Sequence, residues 1–266
     1  MVAGAPRRPV VPALFDRIAP VYDRTRGPLD DLTAEALAKA LAERGVDRLL
    51  EIGVGTGRVA GPLTDRGLRV TGVDTSKAMM AKAREKGLAH LVEATAYHLP
   101  FRREAFDGVL MGHVLHLLED PASVLQEAGR VSRKGVFALV AQRDDRADAG
   151  GGPREDDLRT LLHDHLIAQG VELAPFRAPW RKERELLARY PPTETVPISD
   201  RTLTEPAERR IAALELRGYR NLLDVPPVAM ARAIAELRTT FRGRTITSRR
   251  IYALAHWAPP VRTGPN

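Results

Sequence analysis

The chain has 266 residues, a length that fits one large domain or one domain with a sizeable insertion. With no cysteine, a disulfide scaffold, a thiolate nucleophile and a Cys-ligated zinc are all excluded. The net charge of +7 is spread evenly, with 20 basic and 17 acidic groups in residues 1–142 and 21 and 17 in residues 143–266, and 35 of the 41 basic residues are Arg; the surplus is therefore read as compositional bias, against a nucleic-acid partner.

Leu29 to Arg44 carries Leu32, Ala36, Leu37, Ala40 and Leu41 on one face and is predicted as an amphipathic helix. From Asp47 to Gln142 strand and helix patterns alternate. Strands are expected at Arg48–Ile52, Leu68–Val73, His90–Ala94, Phe106–Met111 and Val136–Ala141. Helices are expected at Arg58–Arg66, Ser76–Lys86 and Pro121–Val131. Such alternation builds βαβ units and a parallel sheet covered on both faces. Asp148 to Pro153 reads as a flexible break. Beyond it come a helix over Glu155–Gln169, a sixth strand over Glu194–Asp200 and helices over Pro206–Arg217 and Pro227–Phe241. A last buried strand lies within Thr245–Trp257. The expected fold class is α/β: a Rossmann-like, doubly wound, mainly parallel seven-stranded sheet with helices on both faces and a helical lid insertion. No apolar run reaches the roughly 20 residues of a membrane span, and the start does not read as a signal peptide, so a cytoplasmic protein is expected.

The most informative segment is Leu49 to Arg58. A buried strand runs directly into Gly53-Val54-Gly55-Thr56-Gly57, then a helix. Glycine lets the backbone turn sharply and approach a ligand without a Cβ in the way. The following helix offers free N–H groups to that ligand. The dinucleotide pattern G-x-G-x-x-G would need its third glycine at Arg58, and a G-x-x-x-x-G-K-[ST] phosphate loop is missing. About 20 residues on, a second strand ends in Asp74, where a carboxylate can accept the hydroxyls of a ribose. The alternative for Asp74 is an N-cap of the helix opening at Ser76.

Glu51-Ile-Gly-Val-Gly-Thr-Gly57 followed by Asp74 resembles the first motifs of class I S-adenosylmethionine-dependent methyltransferases. Leu99-Pro100-Phe101, Phe106-Asp107-Gly108-Val109 and Gly112 to Leu118 are similar to later motifs of the small-molecule branch (methyltransferase type 11, quinone-methyltransferase-like). Phe15-Asp16-Arg17-Ile18-Ala19-Pro20-Val21-Tyr22-Asp23 resembles its N-terminal element. The resemblance covers residues 13–142 and thins beyond. It implies S-adenosyl-L-methionine as cofactor and S-adenosyl-L-homocysteine as product. It implies an N-terminal helical cap over 1–46 and a cofactor-binding core over 47–142. Residues 143–266 would complete the sheet and carry the lid, inserted at about 153–190 and 204–243. By resemblance, Glu51 would help place the methionine amino group, and Gly53, Gly55 and Gly57 would floor the loop. Asp74 would bind the ribose. Thr75 and Met79 would border the adenosine, with Met79 as an apolar wall. Thr95, Ala96 and Tyr97 would border the adenine, with a hydroxyl at Thr95 where the family often has an acid. Gly112 and His113 would touch the methionine end. Tyr22 would close over the cofactor.

Methyl transfer from a sulfonium is an in-line displacement that rests mainly on proximity, worth about 7–11 kcal/mol. A base is needed only where the nucleophile must lose a proton. His113 is the candidate base or substrate orienter; its alternative is a packing or cofactor contact. His116 is a weaker candidate that packs under the lid, and no metal site is expected. His163 and His165 read as surface or lid residues. Tyr219, Arg220, Trp180, Phe176 and Tyr190 are candidate pocket-lining groups, each with ordinary packing as the alternative. The expected function is methylation of an O, N or C atom of a small organic acceptor. Alternatives are a quinone-type C-methyltransferase, a non-catalytic cofactor-binding protein and, least favoured, an RNA methyltransferase. Oligomeric state is not legible.

Overall fold

The computed structural model describes residues 10–142, 154–173 and 179–261. The apolar runs read from the sequence become the parallel half of one sheet. It comprises β1 (Arg48–Ile52), β2 (Arg69–Asp74), β3 (Leu91–Glu93), β4 (Gly108–Gly112) and β5 (Val136–Gln142). The full order is β3-β2-β1-β4-β5-β7-β6, with β6 (Glu194–Pro206) and β7 (Thr245–Trp257) completing it. β7 is antiparallel to β5, and β6 to β7. The chain winds outward from β1 in both directions, so the order reverses between β1 and β4. That reversal opens a crevice at the carboxyl ends of these strands, where ligands of doubly wound sheets bind.

Alternation along the strands divides the core in two. Leu49, Val70, Leu110 and Leu254 face α3 (Asp31–Glu43), α4 (Ala60–Thr64) and α5 (Lys77–Glu85). Leu50, Val109, Met111 and Ala255 face α6 (Pro121–Val131). The helix starts follow local chemistry. Asp30 accepts the Thr33 N–H ahead of α3, Ser76 the Met79 N–H ahead of α5, and Asp120 the Ser123 N–H ahead of α6.

Two short helices, α1 (Val10–Ile18) and α2 (Tyr22–Arg26), precede α3 within the segment 1–46 expected as a helical cap. Two features depart from the expectations. A further helix, α8 (Pro179–Arg189), was not anticipated, because its described residues are mostly charged and only Leu186 and Leu187 give it an apolar face. It packs on β5 and the 3-10 turn Leu115–Leu117. The lid cluster is built instead by α7 (Glu155–Ala168), α9 (Ala207–Glu215) and α10 (Pro227–Thr240), joined through Leu158, Leu162, Ile211, Leu214, Ile234 and Leu237. Second, β6 continues to Pro206 instead of ending at Asp200. Its residues alternate between exposed and half-buried, as on an edge strand, and Pro197 sits at a register shift, where a missing N–H is tolerated. β5 ends at Gln142, opposite Ile251 of β7. From Arg201↔Arg250 to Pro206↔Thr245, β6 and β7 pair with each other, and Thr247 also forms a parallel bridge with Arg154. This two-stranded arm projects past the carboxyl end of β5 and carries the lid, since Ala207 and Ile246 enter the lid cluster. The break at Asp148 to Pro153 lies outside the described residues.

Candidate active site

The glycine loop leaves β1 with Gly53, Gly55 and Gly57 all at positive φ (71°, 54° and 77°). The three do different work. A Cβ on Gly55 would meet no heavy atom nearer than Gly53 O at 3.9 Å, so the loop is open on that side. A Cβ on Gly57 would run into Leu88 Cδ1, and one on Gly53 would come within 2.8 Å of Val114 Cγ2. Gly57 therefore lets α5 and the turn after it pack against the loop, and does not floor the open side as the resemblance implied. Asp74, at the end of β2, accepts the Gly55 N–H through Oδ2 and the Ser76 N–H through Oδ1, each at 2.8 Å. It does not cap α5; Ser76 does. Burial raises the Asp74 pKa, the N–H bonds from Ser76, Gly55 and Thr75 oppose the rise, and nearby Asp16 adds to it. A carboxylate has about four lone-pair sites, so Asp74 keeps acceptor capacity for hydroxyls.

Glu51 is 1% exposed, on β1 below the loop. It accepts the Ala60 N–H, while Oε2 is buried without a hydrogen-bond partner. Burial pushes its carboxyl well above the usual carboxylate range; the Ala60 bond opposes this, Asp74 adds to it and Arg58 opposes it. Gly112 lies alongside, since a Cβ there would come 3.1 Å from Glu51 Oε1. An unpaired acidic oxygen in the interior is costly unless a donor or cation meets it.

The N-terminal segment is fastened over this loop by two aspartates with no assigned role in the sequence reading. Asp16 Oδ1 accepts the Ser76 hydroxyl at 2.6 Å. Asp23 accepts the Thr56 hydroxyl at 2.6 Å and pairs with Lys86, whose Nζ also donates to Thr56 O at 2.8 Å. Tyr22 is half-buried, edge-on to Phe15 and under the Arg26 guanidinium at 4.4 Å. Arg26 also stacks on Tyr219 at 4.8 Å and donates to Gly218 O, and the Tyr219 hydroxyl donates to Thr25 O, which ties α2 to the lid.

His113 follows β4 directly, in the left-handed region at φ 59°. Its ring stands edge-on to Tyr252 at 5.5 Å, and its Nε2 is buried without a partner. Burial lowers its pKa well below the ordinary imidazole value, helped by Arg58, His116, Arg250 and Arg26, so the ring is neutral. His116 points elsewhere: its Nδ1 is 3.1 Å from Glu183 Oε1 of α8, and Glu183 is 2% exposed. It thus packs under α8, within the 153–190 insertion expected to form part of the lid.

The residues expected around the adenosine are only partly gathered. Thr75 is exposed. Met79 is 1% exposed and clusters with Ile18 and Ala19, so α1 covers the wall it was expected to form. The Thr95 oxygen accepts the Tyr97 N–H at 3.2 Å, holding its own turn. Ala96 and Tyr97 pack at the edge of the β4–α6 core, and the Tyr97 hydroxyl accepts the N–H groups of Glu119 and Asp120. Among the expected lining groups, Tyr190 is 8% exposed and its carbonyl accepts the Trp257 N–H. Phe176 and the side chain of Trp180 lie outside the described residues. Arg58, Arg26, Arg250 and Tyr252 were missed. Only Arg58 carried a local signal, as the residue standing where a third glycine would be.

The family model of the methyltransferase domain matches residues 50–140, which run from β1 into β5. A phosphatidylethanolamine N-methyltransferase of Cereibacter sphaeroides is 37% identical over 127 residues, 45% of this chain and 62% of that protein. A demethylmenaquinone methyltransferase of Clavibacter sepedonicus is 32% identical over 140 residues, 50% of this chain and 57% of that one. The chain thus spans about three fifths of the length of the curated relatives it matches. A candidate methyltransferase of an antibiotic biosynthesis pathway from Anabaena variabilis shares the fold, with a TM-score of 0.52, 15% identity, and coverage of 82% of this chain and 96% of that one. Among the described residues no helix is long and apolar enough to cross a membrane.

The residues present fit S-adenosylmethionine. The unpartnered Glu51 oxygen suits its ammonium group, the open face of Gly55 suits a close backbone approach, and the spare acceptor sites of Asp74 suit ribose hydroxyls.

Proposed function

We propose that this chain transfers a methyl group from S-adenosylmethionine to a small organic acceptor. The observation that carries the proposal is the buried, unpartnered carboxyl oxygen of Glu51 beside an open glycine loop. It supports a cationic ligand at that place, and Asp74 supports a ribose beside it. When bound, the cofactor supplies an electrophilic methyl on a sulfonium that leaves neutral.

The residues of this chain then have three tasks. Glu51, Asp74 and the loop hold the cofactor, and Tyr22, Thr75, Met79, Thr95, Ala96, Tyr97 and Gly112 belong to its surroundings. The cap, pinned by Asp16 and Asp23, excludes water from the loop. His113, neutral and with Nε2 free to accept, orients the acceptor and takes its proton where one is released. Acceptor choice belongs to the lid and arm, which follow the matched segment ending at residue 140.

Calorimetry with S-adenosylhomocysteine, followed by transfer of labelled methyl to acceptor panels, tests the reading. Product binding with label transfer is expected. Binding without transfer to any panel would favour a non-catalytic cofactor protein, and absent binding would overturn both.

A further inference from the structure

Two atoms that the methyltransferase reading needs are closed off from solvent. Glu51 Oε2 and His113 Nε2 are both buried without a hydrogen-bond partner, so neither an ammonium nor an acceptor reaches them in this conformation. Ligand entry and exit therefore require part of the chain to move. The cap is fixed to the site itself, by Asp16 on Ser76 and Asp23 on Thr56, each at 2.6 Å.

The lid is arranged to move as a unit. It has its own core, with Leu158, Ile211, Ile234 and Leu237 buried. Among the described residues, α7, α9 and α10 make their principal contacts with one another, with the β6–β7 arm and, through α9, with α2. Beyond Arg201, which donates to Asp30 at 2.7 Å, the arm is a ribbon with no third strand of the sheet beside it. Two strands alone are only marginally rigid, which suits a hinge.

The far side of the lid is held by a clasp on α2. The Arg26 guanidinium donates to Gly218 O at 2.9 Å and lies over the rings of Tyr22 and Tyr219, at 4.4 and 4.8 Å. The Tyr219 hydroxyl donates to Thr25 O at 3.1 Å, and Arg159 of α7 stands over the same ring at 4.9 Å. The seam is tight at Gly218, where a Cβ would come 2.6 Å from Thr25 Cγ2 and 2.9 Å from Thr25 Oγ1. Leu223 adds an apolar contact with Ile18, Ala19 and Met79, and the Arg17–Asp224 pair at 2.7 Å is exposed and so worth little. The clasp borders the glycine loop: α2 carries Asp23, and Arg58 donates to Gly27 O just after that helix.

We propose that the lid is a gate. α7, α9 and α10 swing on the arm, the clasp of Gly218 and Tyr219 on α2 holds them shut, and cofactor and product pass when the clasp opens. The proposal rests on the methyltransferase reading.

The chain has no cysteine, so a single disulfide can be placed without competition. A Cβ at Gly218 would lie so near both atoms on Thr25 Cβ that Thr25→Cys with Gly218→Cys sets two sulfurs within bonding reach. Surface plasmon resonance on the full chain follows association and dissociation of S-adenosylhomocysteine. Oxidised with diamide, the double variant should bind and release at least tenfold more slowly than wild type, and a reductant should restore both rates. Tyr219→Phe, which removes one bond of the clasp, should raise both rates at least threefold and leave Kd within twofold. A tyrosine that only supported the fold would raise dissociation alone and weaken Kd. The proposal is overturned if oxidised and reduced double variants exchange the ligand equally fast, or if Tyr219→Phe does not raise both rates. It is also overturned if the two cysteines fail to oxidise, since the seam is then open in solution. Failure of the wild-type protein to bind S-adenosylhomocysteine would instead sink the underlying reading.

Discussion

Replacing Asp74 by Ala removes the acceptor of the Gly55, Ser76 and Thr75 N–H groups at once. Gly55 and Ser76 each donate to its carboxylate at 2.8 Å, across the junction of the glycine loop and the start of α5. Hydrogen bonds to a charged group are worth about 1.5–3 kcal/mol each. Asp74 is half-buried, so water replaces part of what is lost. The expected cost in stability is about 2–4 kcal/mol, read by urea denaturation at pH 7. The ribose would lose its acceptor as well, so affinity for S-adenosylhomocysteine should fall tenfold or more by calorimetry. Asp74→Asn separates the two effects. Its amide keeps one oxygen for one N–H but presents NH2 to the other, so about half the stability loss should remain. An Asp74→Ala protein with wild-type stability and wild-type product affinity would refute both the loop-bracing and the ribose roles.

Glu51→Gln should make the free protein more stable at pH 7 yet weaken cofactor binding. The folded-state pKa of Glu51 is raised, so its favourable contribution is complete below the usual value of 4.5 and is lost as pH rises through the folded value. The stability difference from wild type should therefore shrink toward pH 4, which denaturation at several pH values would show. His113 has the opposite sign. Its folded pKa is depressed, so its contribution is complete above the usual 6.5 and falls away as pH drops below that toward the folded value. Relative to His113→Asn, which tolerates the left-handed backbone, the wild-type protein should lose stability over that window. The variant's turnover should fall at least tenfold with product affinity unchanged; equal turnover would remove His113 as base or orienter. Gly57→Ala and Gly55→Ala both bear a positive φ, at about 1–2 kcal/mol. Only Gly57→Ala adds a collision with Leu88, for about 1–3 kcal/mol more. Thermal melts should rank Gly57→Ala as the less stable, and calorimetry should rank Gly55→Ala as the weaker cofactor binder.

What the residues determined by themselves is local in the chain. A buried run, three alternate glycines and a carboxylate closing the next strand lie within 27 residues, Arg48 to Asp74. Each piece is dictated by nearest-neighbour chemistry: side-chain alternation, positive φ, a strand end. Leu49, Leu50 and Asp74 could therefore be placed unaided, and the parallel order with its crevice follows from the handedness of βαβ units. Tertiary structure alone decided the rest. Gly57 serves packing because Leu88 happens to arrive there. His116 meets Glu183 because the charged helix α8 brings that carboxylate to it from 67 residues away. β6 outruns its expected end because β7 supplies a partner along its whole length, and pairing over such separations leaves no periodic trace in either strand. With 35 arginines in the chain, only Arg58 among these stood out, as the residue standing where a third glycine would be. Arg26, Arg58 and Arg250 became informative only through folding, when their charges bear on the buried His113 and disfavour its imidazolium, because electrostatic cost depends on distance and burial, which sequence order does not specify.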